Sequence, residues 1–149
     1  MPGLAYFQGC WELERTIEHE DGSRASAMGR VVFDPTEDGL RQVESGSMTV
    51  IGADGGAVTL QFTRTYLWGE QGGQVAVRMD DASAFHHFGT ADKTPKADHY
   101  CAPDTYHVAY DFSTLHEWHA VWTVRGPRKS YVMRSRFFRG AQGRLHPQG

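Results

Sequence analysis

The sequence predicts an all-β chain that forms a single antiparallel up-and-down β-barrel of about nine or ten strands. Three observations predict it. Glycine turns punctuate the chain at Asp21-Gly22, Asp38-Gly39, "ADGG" (53–56), "EQGG" (70–73) and Gly126-Pro127. Between them the apolar period is two rather than 3.6. No segment reads as a helix of normal length; "GLAYF" makes at most a turn. Strands without helical layers either stack as two sheets or close on themselves, and closure removes exposed edges.

Each strand shows its own alternation. "GCWELERTIE" opens the series, with Trp11, Leu13 and Arg15 on one face. "RASAMGRVVF" offers Ala25, Ala27, Gly29, Val31 and Phe33, and "LRQVESGSMTVI" follows. In "VTLQFTRTYLW", Val58, Leu60, Phe62, Arg64, Tyr66 and Trp68 share a face, expected to be the inner one. Thr59, Gln61, Thr63 and Thr65 share the other. "QVAVRM", "AFHHFG" and "DHYCA" are short strands. "TYHVAYDF" groups Tyr106, Val108, Tyr110 and Phe112, and "HEWHAVWTV" groups Trp118, Ala120, Trp122 and Val124. "SYVMRSRFFR" groups Tyr131, Met133, Ser135, Phe137 and Arg139, with Arg134 and Arg136 outside.

The 149 residues fit one domain, 1–149, with 140–149 as a flexible tail. A hydrophobic fraction of 40% and a charged fraction of 22% exclude a disordered chain. Fifteen Lys plus Arg against 18 Asp plus Glu give a net charge of -3, which asks for neither nucleic acid nor an acidic membrane. The N-terminal "MPGLAYFQGCW" lacks a basic stretch followed by an apolar one, so a cytoplasmic protein is expected, with Cys10 and Cys101 as free thiols.

"FQGCWELERTI" holds Gly9-Cys10-Trp11 at the head of the first strand. A Gly-x-Trp there resembles the lipocalin and wider calycin signature. The resemblance implies a lipocalin-like barrel whose tryptophan plugs the closed end, with a late arginine across its ring; Arg139 in "SRFFRG" is the matching position. A cation over an indole face contributes about 0.5–2 kcal/mol. "GCWELERTI", "FHHF", "HYCAPDTY" and "VWTVRGPRKSY" together resemble an uncharacterised bacterial family of lipocalin-like proteins across nearly the whole chain. That resemblance implies the barrel and no activity.

The chemistry-bearing stretch is "DHYCAPDTYHVAYDF". His99 and Cys101 are two apart on a strand and point the same way. In "AFHHF", His86 and His87 point opposite ways. If His86 faces inward, His86, His99 and Cys101 converge, and two imidazoles with a thiolate suit zinc or another transition metal. Asp104 is a further possible ligand. A nucleophilic or acid-base set of His99, Cys101 and Tyr106 is the catalytic alternative. Haem held by His86 or His99 is a third expectation. The bland reading is half-buried strand residues with ordinary hydrogen bonds.

Arg64 stands on an aromatic face. It pairs either with Glu44 or another inner carboxylate, or with the anionic head of a ligand. Arg15 is a second arginine of this kind. Tyr66, Tyr106, Tyr110, Trp118, Trp122 and Tyr131 form a wall that serves equally as core or as a ligand surface. Arg125, Arg128 and Lys129 gather charge in the turn "RGPRKS". His19 and His146 carry no expected role. The leading functional expectation is a cytosolic barrel holding a small hydrophobic or aromatic, anionic ligand through Arg64, Tyr66, His86, His99, Tyr106, Tyr110, Trp118, Trp122 and Tyr131. The alternative is a small-molecule enzyme using His86, His99 and Cys101.

Overall fold

The computed structural model describes residues 3–139; the tail expected over 140–149, with His146, lies outside them. A 3-10 turn, Leu4–Phe7, precedes ten strands: β1 (Gly9–His19), β2 (Arg24–Pro35), β3 (Gly39–Ile51), β4 (Ala57–Gln71), β5 (Gln74–Met79), β6 (Ala84–Gly89), β7 (Lys96–Cys101), β8 (Asp104–Thr114), β9 (Glu117–Arg125) and β10 (Ser130–Phe138). They form one antiparallel sheet in the order β6-β5-β4-β3-β2-β1-β10-β9-β8-β7. The β1–β10 ladder joins the two ends of the chain. No helix among the described residues is long and apolar enough to cross a membrane.

The turns are built by short acceptor side chains. Asp21, Asp54, Asp81, Asp92 and Asp111 each accept a backbone N–H two residues on. Each bond fixes the local bend of the backbone at its site.

The hydrogen-bonded ring is open at one place. β6 and β7 form no ladder. Instead, the carbonyls of Lys93 and Pro95 accept from Phe112 and Tyr110 of β8, and Pro95 itself has no N–H to give back. Side chains close this seam: Phe85 of β6 meets His99 of β7 at 5.3 Å between ring centroids. Phe88 meets Tyr110 at 4.8 Å.

Parity along the strands holds as the sequence predicts. Trp11, Leu13, Val31, Phe33, Val108, Trp118, Val124 and Phe137 are buried inside, while Arg134 is exposed and Arg136 part-exposed on the outer face. Each large apolar side chain so buried contributes about 1.5–3 kcal/mol. β4 departs from expectation. Its face carries the predicted residues, but Val58 is 57% and Leu60 48% exposed, and only Trp68 is fully buried. The strand has 15 residues, whereas its neighbour β5 has six and pairs only with Tyr66–Gln71. The first half of β4 therefore overruns the barrel.

The closed end is an aromatic plug. Phe7 packs on Trp11, Phe33, Trp68, Phe112 and Trp118. The Trp11 indole N–H donates to the Phe7 carbonyl at 2.8 Å. The Arg139 guanidinium lies 4.0 Å from the Trp11 ring and donates to the carbonyls of Tyr6 and Gln8. This is the geometry the Gly-x-Trp resemblance implies. Gly9 sits at φ 112°, where a side chain is strained, and a Cβ there would approach the Arg139 guanidinium. The glycine thus turns the chain from the plug into β1.

Candidate functional site

The plug fills one end of the barrel and leaves a cavity of about 360 Å³ toward the other. That lies within the range of small-molecule sites. All nine residues expected to touch a ligand line it, as do Arg15, Cys101, Phe85 and Lys129.

Its floor is a polar chain threaded through the core. Arg15 Nε donates to the Ser135 hydroxyl at 2.7 Å, and both terminal nitrogens donate to the Glu44 carboxylate at 3.0 and 3.1 Å. Gln42 donates its amide to the same carboxylate, and the Trp68 indole N–H donates to Gln42 at 2.6 Å. Arg15, Gln42, Glu44 and Ser135 are all buried. A buried pair survives only when its remaining donors and acceptors are met, as here. The Arg15 charge is therefore matched by Glu44 inside the core, and Arg15 is no free anion receptor.

Arg64 is the reverse case. It stands directly across from Glu44 in the β3–β4 register, yet that carboxylate belongs to Arg15. Among the described residues Arg64 has no carboxylate within ion-pair distance. It lies exposed at the mouth of the cavity. It interacts with the Tyr66 phenol, whose pKa is pushed up by burial and by Glu44 and held back by Arg64.

Across the mouth, Lys129 donates to the Tyr106 hydroxyl at 2.8 Å and stands 3.4 Å from the Asp104 carboxylate. The hydrogen bond to Tyr106 is the largest of the effects that raise the Lys129 pKa. Asp104, expected from sequence as a possible metal ligand, opens β8 and reaches so close to Gly126 that any Cβ there would collide with its carboxylate. Arg125 binds the Ser130 hydroxyl. The turn "RGPRKS" thus lies at the open end, with Lys129 as its cavity-lining member. Tyr131 lines the same side, its pKa raised by burial.

The middle of the cavity is aromatic. Phe85 lies parallel to Trp122 (centroids 5.0 Å, 2°) and close to parallel to Tyr66 (6.0 Å, 16°). His86 meets Trp122 edge-on at 5.0 Å. The register slips at Val77/Arg78, a bulge that leaves Phe85 unpaired and sends both Phe85 and His86 to the cavity. Strict alternation assigns Phe85 to the outside, so only the bulge reveals it.

His86 is buried, while His87 is exposed. The Nε2 of His86 lies 2.7 Å from the Tyr110 hydroxyl, and its Nδ1 is buried without a hydrogen-bond partner among the described residues. Burial lowers its pKa to about 3, helped by His99 and His87. Burial raises that of Tyr110. Both are therefore neutral at physiological pH.

His99 is half-buried against Phe85 and Tyr106, and Cys101 is exposed at the rim. His86, His99 and Cys101 share the cavity, but among the described residues no three His, Cys, Asp or Glu side chains form a set that could hold a metal ion.

A model of a family of unknown function matches residues 7–139. No curated protein matches the chain. The S-type phycobiliprotein lyase CPES from Guillardia theta has a similar structure: TM-score 0.60, 8% identity, 92% of this chain and 90% of that one. At that identity the likeness shows a common fold. Two engineered barrels also align. One is the redesigned barrel mFAP1 bound to DFHBI (TM-score 0.41, 15% identity, 91% of this chain and 97% of that one). The other is a de novo designed fluorescence-activating β-barrel (TM-score 0.40, 14% identity, 92% of this chain and 96% of that one).

Proposed function

The chain belongs to DUF6314, a family of unknown function, and from that premise we propose that it is a cytoplasmic binding protein for a small, flat, aromatic anion. The carrying observation is Arg64: a cation at the cavity mouth whose facing carboxylate is consumed by Arg15. An unneutralised guanidinium beside apolar walls favours a carboxylate, sulfonate or phosphate from outside. Lys129, paired with Asp104 at 3.4 Å, stands at the same rim and offers a further N–H donor there. The near-parallel rings of Tyr66, Phe85 and Trp122 favour a planar body, because offset stacking rewards flat partners. The two free thiols at opposite ends of the barrel support a reducing compartment.

The test uses two fluorescent probes of similar shape. Anilinonaphthalene sulfonate carries a negative charge, and phenylnaphthylamine carries none. Both should bind the native protein. Arg64→Gln should weaken the sulfonate by about tenfold or more, the scale of a hydrogen bond to a charged group, and leave the neutral probe within about twofold. Equal loss of both, or binding of neither, rejects the proposal.

A further inference from the structure

The overrun of β4 leaves a sheet edge with nothing on it. Residues 57–65 pair with β3 on one side, and β5 reaches only to Tyr66, which it meets at Met79. Among the described residues no strand occupies the other side. Over these nine positions alternate residues turn their backbone N–H and C=O away from β3, toward the open side. It also lacks the usual protections: "AVTLQFT", residues 57–63, contains no charge, no proline and no glycine. Its inner face shows Val58 at 57% and Leu60 at 48% exposure, with Phe62 half-buried.

We propose that this edge pairs with the same edge of a second copy, antiparallel about a two-fold axis at Leu60. The sequence is self-complementary in that register alone. Leu60 meets Leu60 of the second copy, Val58 meets its Phe62, and Thr59 meets its Gln61. On the inner face the apolar side chains Val58, Leu60 and Phe62 each face an apolar one, and on the outer face Thr59 and Gln61 face each other while Thr63 faces the small Ala57. Sliding one copy two residues deeper would set Val58 against Arg64 and drive Gly56 of one copy into the place beside Tyr66 that Met79 fills. Sliding it two residues outward would leave Phe62 facing glycine. In the chosen register Arg64 lies opposite Gly56 of the second copy, so no side chain covers the cation at the mouth. No like charges face each other.

The experiment is the mass of the full chain in solution by light scattering across micromolar concentrations, with four variants. The native chain runs as a dimer. Leu60→Glu puts two carboxylates on the axis and gives a one-chain mass with unchanged far-ultraviolet circular dichroism, since Leu60 is already half exposed. Met28→Glu, on β2 and more exposed at 67%, leaves the dimer intact. With Cys10 and Cys101 changed to serine, Leu60→Cys forms an intermolecular disulfide on mild oxidation, and Gln61→Cys does not. A one-chain mass for the native protein, a dimer that Leu60→Glu leaves intact, or equal crosslinking at both positions overturns the proposal.

Discussion

Arg15 of β1 grips both carboxylate oxygens of Glu44 on β3, at 3.0 and 3.1 Å. This one pair decides the electrostatics of the cavity, because it ties up the carboxylate that faces Arg64. Glu44→Gln should cost about 3–5 kcal/mol in denaturant unfolding, since it leaves a buried guanidinium without its counter-charge. The joint change Arg15→Met with Glu44→Leu should recover most of that loss. A single-variant cost below about 1 kcal/mol, the usual value of an exposed pair, would contradict the buried geometry.

His86 gives the protein an acid-sensitive core. Its pKa falls from 6.5 to about 3 on folding, so between those values the unfolded chain binds more protons and stability drops as pH falls. At pH 5 the loss from this group is about 2 kcal/mol relative to pH 7. Chemical denaturation of the native protein and His86→Phe at both pH values checks it: the variant should lose less stability on acidification. Identical slopes would mean that His86 titrates normally.

Arg139→Met should loosen the closed end. It removes a cation from the Trp11 face and two donors from the Tyr6 and Gln8 carbonyls. The expected cost is about 1–3 kcal/mol, combining the cation–π and charged hydrogen-bond scales. Arg139→Lys should recover only part of it, because an ammonium cannot reach both carbonyls while covering the ring. The Trp11 indole emission should shift to longer wavelength in the methionine variant.

Phe85 stacks on Tyr66 and on Trp122 in the middle of the cavity. Phe85→Ala removes the middle ring of the near-parallel set and should weaken a flat probe by about threefold to tenfold, the worth of one aromatic pair. Hydrogen exchange at the β6–β7 seam should quicken as well, since Phe85 and His99 close it by side chains alone. Unchanged affinity would assign Phe85 to the core.

The alternation of Trp11, Leu13 and Arg15, and of Trp118, Ala120, Trp122 and Val124, makes the barrel legible from sequence, since inner and outer faces differ in chemistry residue by residue. Arg139 over Trp11 is equally legible, from the Gly-x-Trp resemblance. Three features are not. Phe85 enters the cavity through a bulge, and alternation carries no mark of an inserted residue. Arg15 and Arg64 both stand on inner faces, and only the three-dimensional reach of each guanidinium decides which one takes Glu44. The exposure of Val58 and Leu60 depends on the shortness of β5, a neighbour whose length says nothing in β4 itself.

The account rests most heavily on an open lumen with a free cation at its rim. A crystal structure of the protein grown with anilinonaphthalene sulfonate tests this directly. The predicted result is the naphthalene ring against Phe85 and Trp122 with the sulfonate within hydrogen-bond distance of Arg64. A probe bound on the outer surface, or a lumen closed by its own side chains, would contradict it.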